Sequence, residues 1–151
     1  MARPKRIVVH CTGDPADALR NKEYFRHLFF DVYKWGRYGY HFIVYQDGFC
    51  EALQPSPSPN VAGGNLTPET IAFGAKGFNL DSIHVAYVGG FLPVPGRWAD
   101  TRTPAQKETL RELVARLKRT WGITEVVGHR DLPYVKKACP CFDARKEFSN
   151  V

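Results

Sequence analysis

Two short stretches decide the architecture: Arg6-Ile7-Val8-Val9-His10 near one end of the chain and Glu125-Val126-Val127-Gly128-His129 near the other. Each holds β-branched residues bounded by polar ones, the pattern of a short buried strand. Each run leads into a histidine. In open α/β sheets the carboxyl ends of the strands are where ligands and catalytic groups gather. His10 and His129 therefore occupy matching positions, at the edge where chemistry is expected.

Working outward, Leu19 to Trp35 reads as a helix, because Phe25, Leu28, Phe29 and Val32 recur at the three-and-four spacing of one face. Gly36 and Gly39 break that pattern. Tyr40 to Tyr45 alternates as a strand, Gln46-Asp47-Gly48 signals a hairpin, and Phe49 to Leu53 is the return strand. Gln54 to Asn65 is rich in proline, serine and glycine, a loop whose length marks it as a candidate to shape a binding groove. Ser82 to Val88 is a further strand, ended by Gly89-Gly90, and Phe91 to Arg102 is a second loop. Thr103-Pro104-Ala105-Gln106 is a capping box with proline at the first helical position. It opens a helix carrying Leu110, Leu113, Val114, Leu117 and Trp121, which Gly122 stops. Glu125 to Val127 is the last strand, and Phe142 to Phe148 forms a closing helical turn or two. The expected fold is α/β, one domain over residues 1–151, with a central mixed sheet of about five strands flanked by helices.

Composition bounds the reading. The 151 residues are 44% hydrophobic and 24% charged, enough for a packed core and unlike a disordered chain. Lysine and arginine number 21 against 15 acids, a net +6 that favours acidic partners. No apolar run approaches the roughly 18 residues of a membrane span, so no membrane insertion is expected. Only Ile7, Val8 and Val9 follow the basic head of the chain, where an export signal needs about 7 to 15 apolar residues. The expectation is synthesis in the cytoplasm without a signal peptide. Cys11, Cys50, Cys139 and Cys141 are then free thiols or metal ligands rather than a disulfide framework.

Lys137-Ala138-Cys139-Pro140-Cys141 supplies what the two histidines lack. A thiolate and two neutral imidazoles bind zinc tetrahedrally and leave one position for water, the pattern of a catalytic site. One negative ligand leaves a positive centre that lowers the pKa of water and polarises a carbonyl. Pro140 biases Cys139 toward extended backbone, and residues two apart in an extended chain face the same way. Lys137, Cys139 and Cys141 are thus expected on one face, with a cation beside the metal ligand. Spacing alone leaves the choice between Cys139 and Cys141 open. Tyr40 and His41 pose a similar choice. On a strand they point to opposite faces, so one is expected to bond the water or the developing oxyanion and the other to sit in the core.

Taken together, His10-Cys11-Thr12-Gly13, Gly39-Tyr40-His41-Phe42-Ile43, Ala75-Lys76-Gly77-Phe78-Asn79, Ser82-Ile83 with Val88-Gly89-Gly90, Thr103-Pro104-Ala105-Gln106, Gly128-His129-Arg130-Asp131 and Lys137-Ala138-Cys139-Pro140-Cys141-Phe142-Asp143 resemble the type 2 N-acetylmuramoyl-L-alanine amidases. That group includes phage lysozymes of the amidase type and peptidoglycan recognition proteins. The resemblance runs from about residue 6 to 148. It implies one zinc per chain, held by His10, His129 and the cysteine directly before proline, Cys139. It implies catalytic roles for Tyr40, over His41, and for Lys137 in stabilising the transition state. The implied reaction is hydrolysis of the amide between N-acetylmuramic acid and the L-alanine of the peptidoglycan stem peptide. Some members carry a histidine before the Ala-Lys-Gly segment, where this chain has Gly74. The substrate contacts of that histidine are then expected from His84 or Arg97, with His41 and Lys76 as further candidates.

Rival readings are a recognition module for peptidoglycan without catalysis, a basic nucleic-acid-binding regulator, and a structural zinc protein with Cys141 or His41 as fourth ligand. Cys139 favours the enzyme over the recognition module. The absence of a tight lysine or arginine run beyond Lys136-Lys137 disfavours nucleic acid as a partner. The expected protein is a monomer whose partner is the muramoyl-peptide of the wall. It acts after release by lysis, as phage endolysins do, or on wall fragments recycled in the cytosol.

Overall fold

The computed structural model describes residues 3–56 and 65–151, so most of the loop expected over 54–65 lies outside the described residues. Strand β1 (Arg6–Cys11) is buried along its whole length. It runs parallel to β5 (Ser82–Tyr87) on one side and to β8 (Glu125–Gly128) on the other. Strand β3 (Phe42–Val44) adds parallel to β5, and β4 (Cys50–Ala52) returns antiparallel to β3. The order β4-β3-β5-β1-β8 is the five-stranded mixed sheet the sequence implied, with its antiparallel portion made by the hairpin.

Alternation along β1 sends Ile7 and Val9 into one core and Val8 into another. Helix α2 (Pro104–Trp121) covers the first face with Leu110, Leu113, Val114, Leu117 and Trp121. Its capping box forms as read: Gln106 N donates to Thr103 Oγ1 at 3.1 Å, and Thr103 N donates to Gln106 Oε1 at 2.9 Å. Gln106 does more. Fully buried, its amide also donates to the carbonyls of Val44 and Val88, which ties the cap to the sheet. Gly122 ends the helix in the left-handed region at φ 67°.

On the other face, α1 (Lys22–Arg26) runs into a π turn over His27–Val32, and Phe25 and Phe29 pack against Ile43, Ala86 and Val88. The helix expected over 19–35 is therefore shorter and irregular. It starts after Asn21, whose side chain accepts the Tyr24 N–H, and it widens where Tyr33 N donates five residues back to Leu28 O. Widening rotates the apolar face, which leaves Val32, expected inward, 55% exposed.

A second, smaller sheet is new. β2 (Asp14–Pro15), β6 (Gly90–Leu92) and β7 (Arg97–Trp98) stand in the order β2-β6-β7, and β7 with most of β6 falls in what reads as loop over 91–102. Strands of two or three residues offer too few alternating positions to register as a pattern. The chain closes with α3 (Ala144–Glu147), capped by Asp143. All four cysteines are free thiols. Cys11 lies in the core under α2, whereas Cys50 is only half-buried because β4 is an edge strand. No helix among the described residues is long and apolar enough to cross a membrane.

Candidate metal centre

Three side chains from distant parts of the chain converge at the carboxyl edge of the sheet. His10 comes from β1, His129 opens the 3-10 turn that follows β8, and Cys139 sits in a turn ten residues on. Their ligand atoms all lie within 4.8 Å of one another, a grouping that could hold a metal ion. Local hydrogen bonds set each member. Gly128 N donates to Asp131 Oδ2 at 2.8 Å, fixing the turn that presents His129. Arg130 N donates to Cys139 O at 2.8 Å, fastening that turn to the cysteine segment. Cys11 N donates to Cys139 Sγ at 3.1 Å, which fixes the sulfur beside the end of β1. His10 turns Nδ1 toward Cys139 Sγ at 3.9 Å and Nε2 toward His84 Nδ1 at 2.9 Å.

Burial pushes the pKa of His10 well below its ordinary value, with the charges of His84, His129 and Lys137 adding to the effect. Burial, then Lys137, pushes His129 down to about 4. Both rings are neutral at pH 7 and keep a lone pair for a metal.

The three residues line a cleft of about 820 Å³ together with Tyr40 and Lys137. The Tyr40 ring lies 5.2 Å from that of His10 and packs edge-on to Phe29 at 5.5 Å. Burial raises the Tyr40 phenol well above its ordinary value, so it remains a protonated donor. Lys137 is exposed at the cleft wall. The structure thus brings His10, His129, Cys139, Tyr40 and Lys137 to one cleft.

Other expected residues fall elsewhere. His41 is fully buried, and both of its nitrogens are engaged: Nδ1 accepts the His84 backbone N–H at 3.0 Å, and Nε2 reaches Thr70 O at 2.6 Å. It can serve neither as a substrate contact nor as a fourth metal ligand. His84, 0% exposed, lies behind His10 rather than in the cleft wall. Lys76 and Arg97 are exposed but do not line the cleft. Cys141 does not share a face with Cys139. Its N–H closes a turn onto Ala138 O at 2.8 Å, its φ is 73°, and its sulfur faces Cys11 Sγ at 3.9 Å. The extended backbone expected there is a turn, so the geometry separates the two cysteines where spacing could not. Sequence reasoning missed the aromatic walls of the cleft, Tyr33, Trp35, Phe73 and Trp98. Their side chains are partly exposed, and no periodic signal marks such positions.

The chain belongs to the N-acetylmuramoyl-L-alanine amidase family Amidase_2, which it matches over residues 1–142. It is similar to the endolysin of Enterobacteria phage T3, 31% identical over 148 residues that make up 96% of this chain and 85% of that one. It is also similar to the endolysin of Klebsiella phage KP32, 32% identical over 112 residues, 74% of this chain and 64% of that protein, just under two thirds of its length. Among solved structures, the amidase LysC from Clostridium intestinale URNW superposes with a TM-score of 0.70 at 22% identity, over 97% of this chain and 82% of that one, a likeness of fold.

Proposed function

We propose that this chain is a zinc-dependent cell-wall amidase that hydrolyses the bond between N-acetylmuramic acid and the L-alanine of the stem peptide. The observation that carries the reading is the convergence of His10, His129 and Cys139 in the cleft of a chain of this family. The donor set fits zinc: two neutral imidazoles and one sulfur, with no fourth protein ligand grouped with them among the described residues, leave a position open to water. Zinc bound there would supply a Lewis acid for the amide carbonyl and an activated water nucleophile.

The chain's own groups do the rest. The Tyr40 hydroxyl donates a hydrogen bond to the oxygen on which charge develops, and the Lys137 ammonium adds positive charge on the same side. The neutral histidines keep their lone pairs turned to the centre instead of binding protons. Trp35, Phe73 and Trp98 offer flat apolar faces to the substrate and shield the reacting bond from bulk water.

Digestion of purified peptidoglycan tests the reading. New free L-alanine amino groups, without new reducing sugar ends and abolished by chelator, are expected. Reducing ends would make the protein a glycosidase, and binding without cleavage would make it a recognition module; either result overturns the proposal. As a relative of phage endolysins, the protein is proposed to reach the wall after lysis, and its presence outside intact, non-lysing cells would contradict that.

A further inference from the structure

The hydrogen bond behind His10 goes to a residue whose ring nitrogens have no other partner among the described residues. His84 Nδ1 lies 2.9 Å from His10 Nε2. Its second nitrogen, Nε2, is buried and has no hydrogen-bond partner among the described residues. Two neutral imidazoles can share such a contact only if one donates and the other accepts. With Nδ1 of His10 facing Cys139, the donor must be His10 Nε2–H for the lone pair on Nδ1 to face the centre. His84 then accepts at Nδ1 and carries its own proton on the orphaned Nε2.

His84 is held to that task by rigid surroundings. Its backbone N–H donates to His41 Nδ1 at 3.0 Å, and its carbonyl accepts the His41 N–H at 2.9 Å. The two rings stack with centroids 6.0 Å apart and planes 3° from parallel. Gly74, which has no side chain, faces the ring. A Cβ built on Gly74 would lie 2.3 Å from His84 Nδ1, at the very atom that faces His10. Any larger residue at 74 would have to displace the acceptor.

We infer that His84 is the positioning residue of the metal centre: it fixes the tautomer and ring angle of His10 from behind, and Gly74 is glycine because His84 occupies the space in front of it. Buried metal-ligating histidines commonly take such support from a carboxylate, a carbonyl or water; here a second neutral histidine provides it. The unpartnered Nε2 is destabilising in itself, and the bond to His10 is the one interaction of this ring that bears on the site.

The inference rests on the metal reading above, and its test separates the two. The full-length protein, labelled with 15N at histidine, is studied as purified and after zinc loading, and ring nitrogen shifts assign the tautomers. His10 is expected to carry its proton on Nε2 and His84 to present an unprotonated Nδ1. Zinc affinity is then measured by competition with a chelating dye. His84→Leu is expected to weaken it about 10- to 100-fold, while His84→Asn, whose Oδ1 can accept in place of Nδ1, remains within a few-fold of the unaltered protein. Gly74→Ala should weaken zinc binding as His84→Leu does, by pushing the ring aside. A proton on His10 Nδ1, or equal affinity in the Leu and unaltered proteins, overturns the inference. Should His84→Leu fail to fold, the tautomer spectrum and the asparagine variant decide. An unaltered protein that takes up no zinc would refute the metal reading, and the spectrum would still settle the role of His84.

Discussion

Cys139, His10 and His129 make up the proposed donor set, and the members of such a set are expected to fail together. Replacing Cys139 by Ala removes the only sulfur of the donor set, and replacing His129 by Ala removes one of its two imidazoles. Each change should abolish amidase activity on purified peptidoglycan and reduce bound zinc from one per chain toward none, measured by metal analysis after gel filtration. Activity that persists in either variant would refute the assignment. Tyr40→Phe tests a different contribution. It keeps the ring against Phe29 and His10 but deletes the donor, so kcat should fall about 10²- to 10³-fold with zinc content unchanged. An unchanged kcat would exclude Tyr40 from transition-state stabilisation.

At the scale of elements, the site is assembled by strand ends and short turns rather than by helices. β1 and β8 are neighbours in the sheet, so residues more than a hundred positions apart arrive at one edge. The π turn over His27–Val32 serves the cleft from the other side, because it swings Leu28, Phe29 and Tyr33 into its wall. The small sheet does the same for Trp98: β7 pairs with β6 and holds the indole at the cleft while Arg97, next to it, faces away from the lining. Trp98→Ala should therefore raise KM for soluble muropeptide several-fold with kcat largely retained, the signature of lost substrate binding. A variant with unchanged KM would remove Trp98 from the binding surface. These aromatic positions were illegible in the sequence. Their side chains are half-exposed and sit on irregular or two-residue elements, so neither burial nor periodicity singled them out. The capping box of α2, by contrast, was fully legible, because it is a local hydrogen-bond arrangement among residues three apart.

Over the whole molecule, four histidines are held neutral by burial: His10 and His84 well below the ordinary value, His41 and His129 at about 4. In the unfolded chain each protonates near pH 6.5. Between about pH 6.5 and 4 the unfolded state thus binds more protons than the native one, and stability rises with pH through that range. The metal-free protein should be at full stability above pH 6.5 and lose it progressively as pH falls toward 4. The slope is up to about 1.4 kcal/mol per pH unit for each histidine that remains neutral. Urea unfolding at a series of pH values in the presence of chelator measures this; a flat profile from 6.5 to 4 would mean the histidines are not held as described.

The sequence alone determined the strand that carries His10 and the one that leads into His129, the amphipathic helix over 104–121, the five-stranded mixed sheet and the family. All of these are written in local periodicity, capping residues and short ordered motifs, which a linear reading can follow. The tertiary structure decided the rest. It grouped Cys139 with the two histidines and turned Cys141 away, a choice that spacing left open and that only the family resemblance had made; it set Tyr40 in the cleft with His41 beneath it, as the resemblance implied, and moved His84 from the substrate side to the back of His10. Those outcomes depend on which atoms meet across the sheet within about 3 to 4 Å, and such encounters are set by packing between segments far apart in the chain, where no local pattern records them.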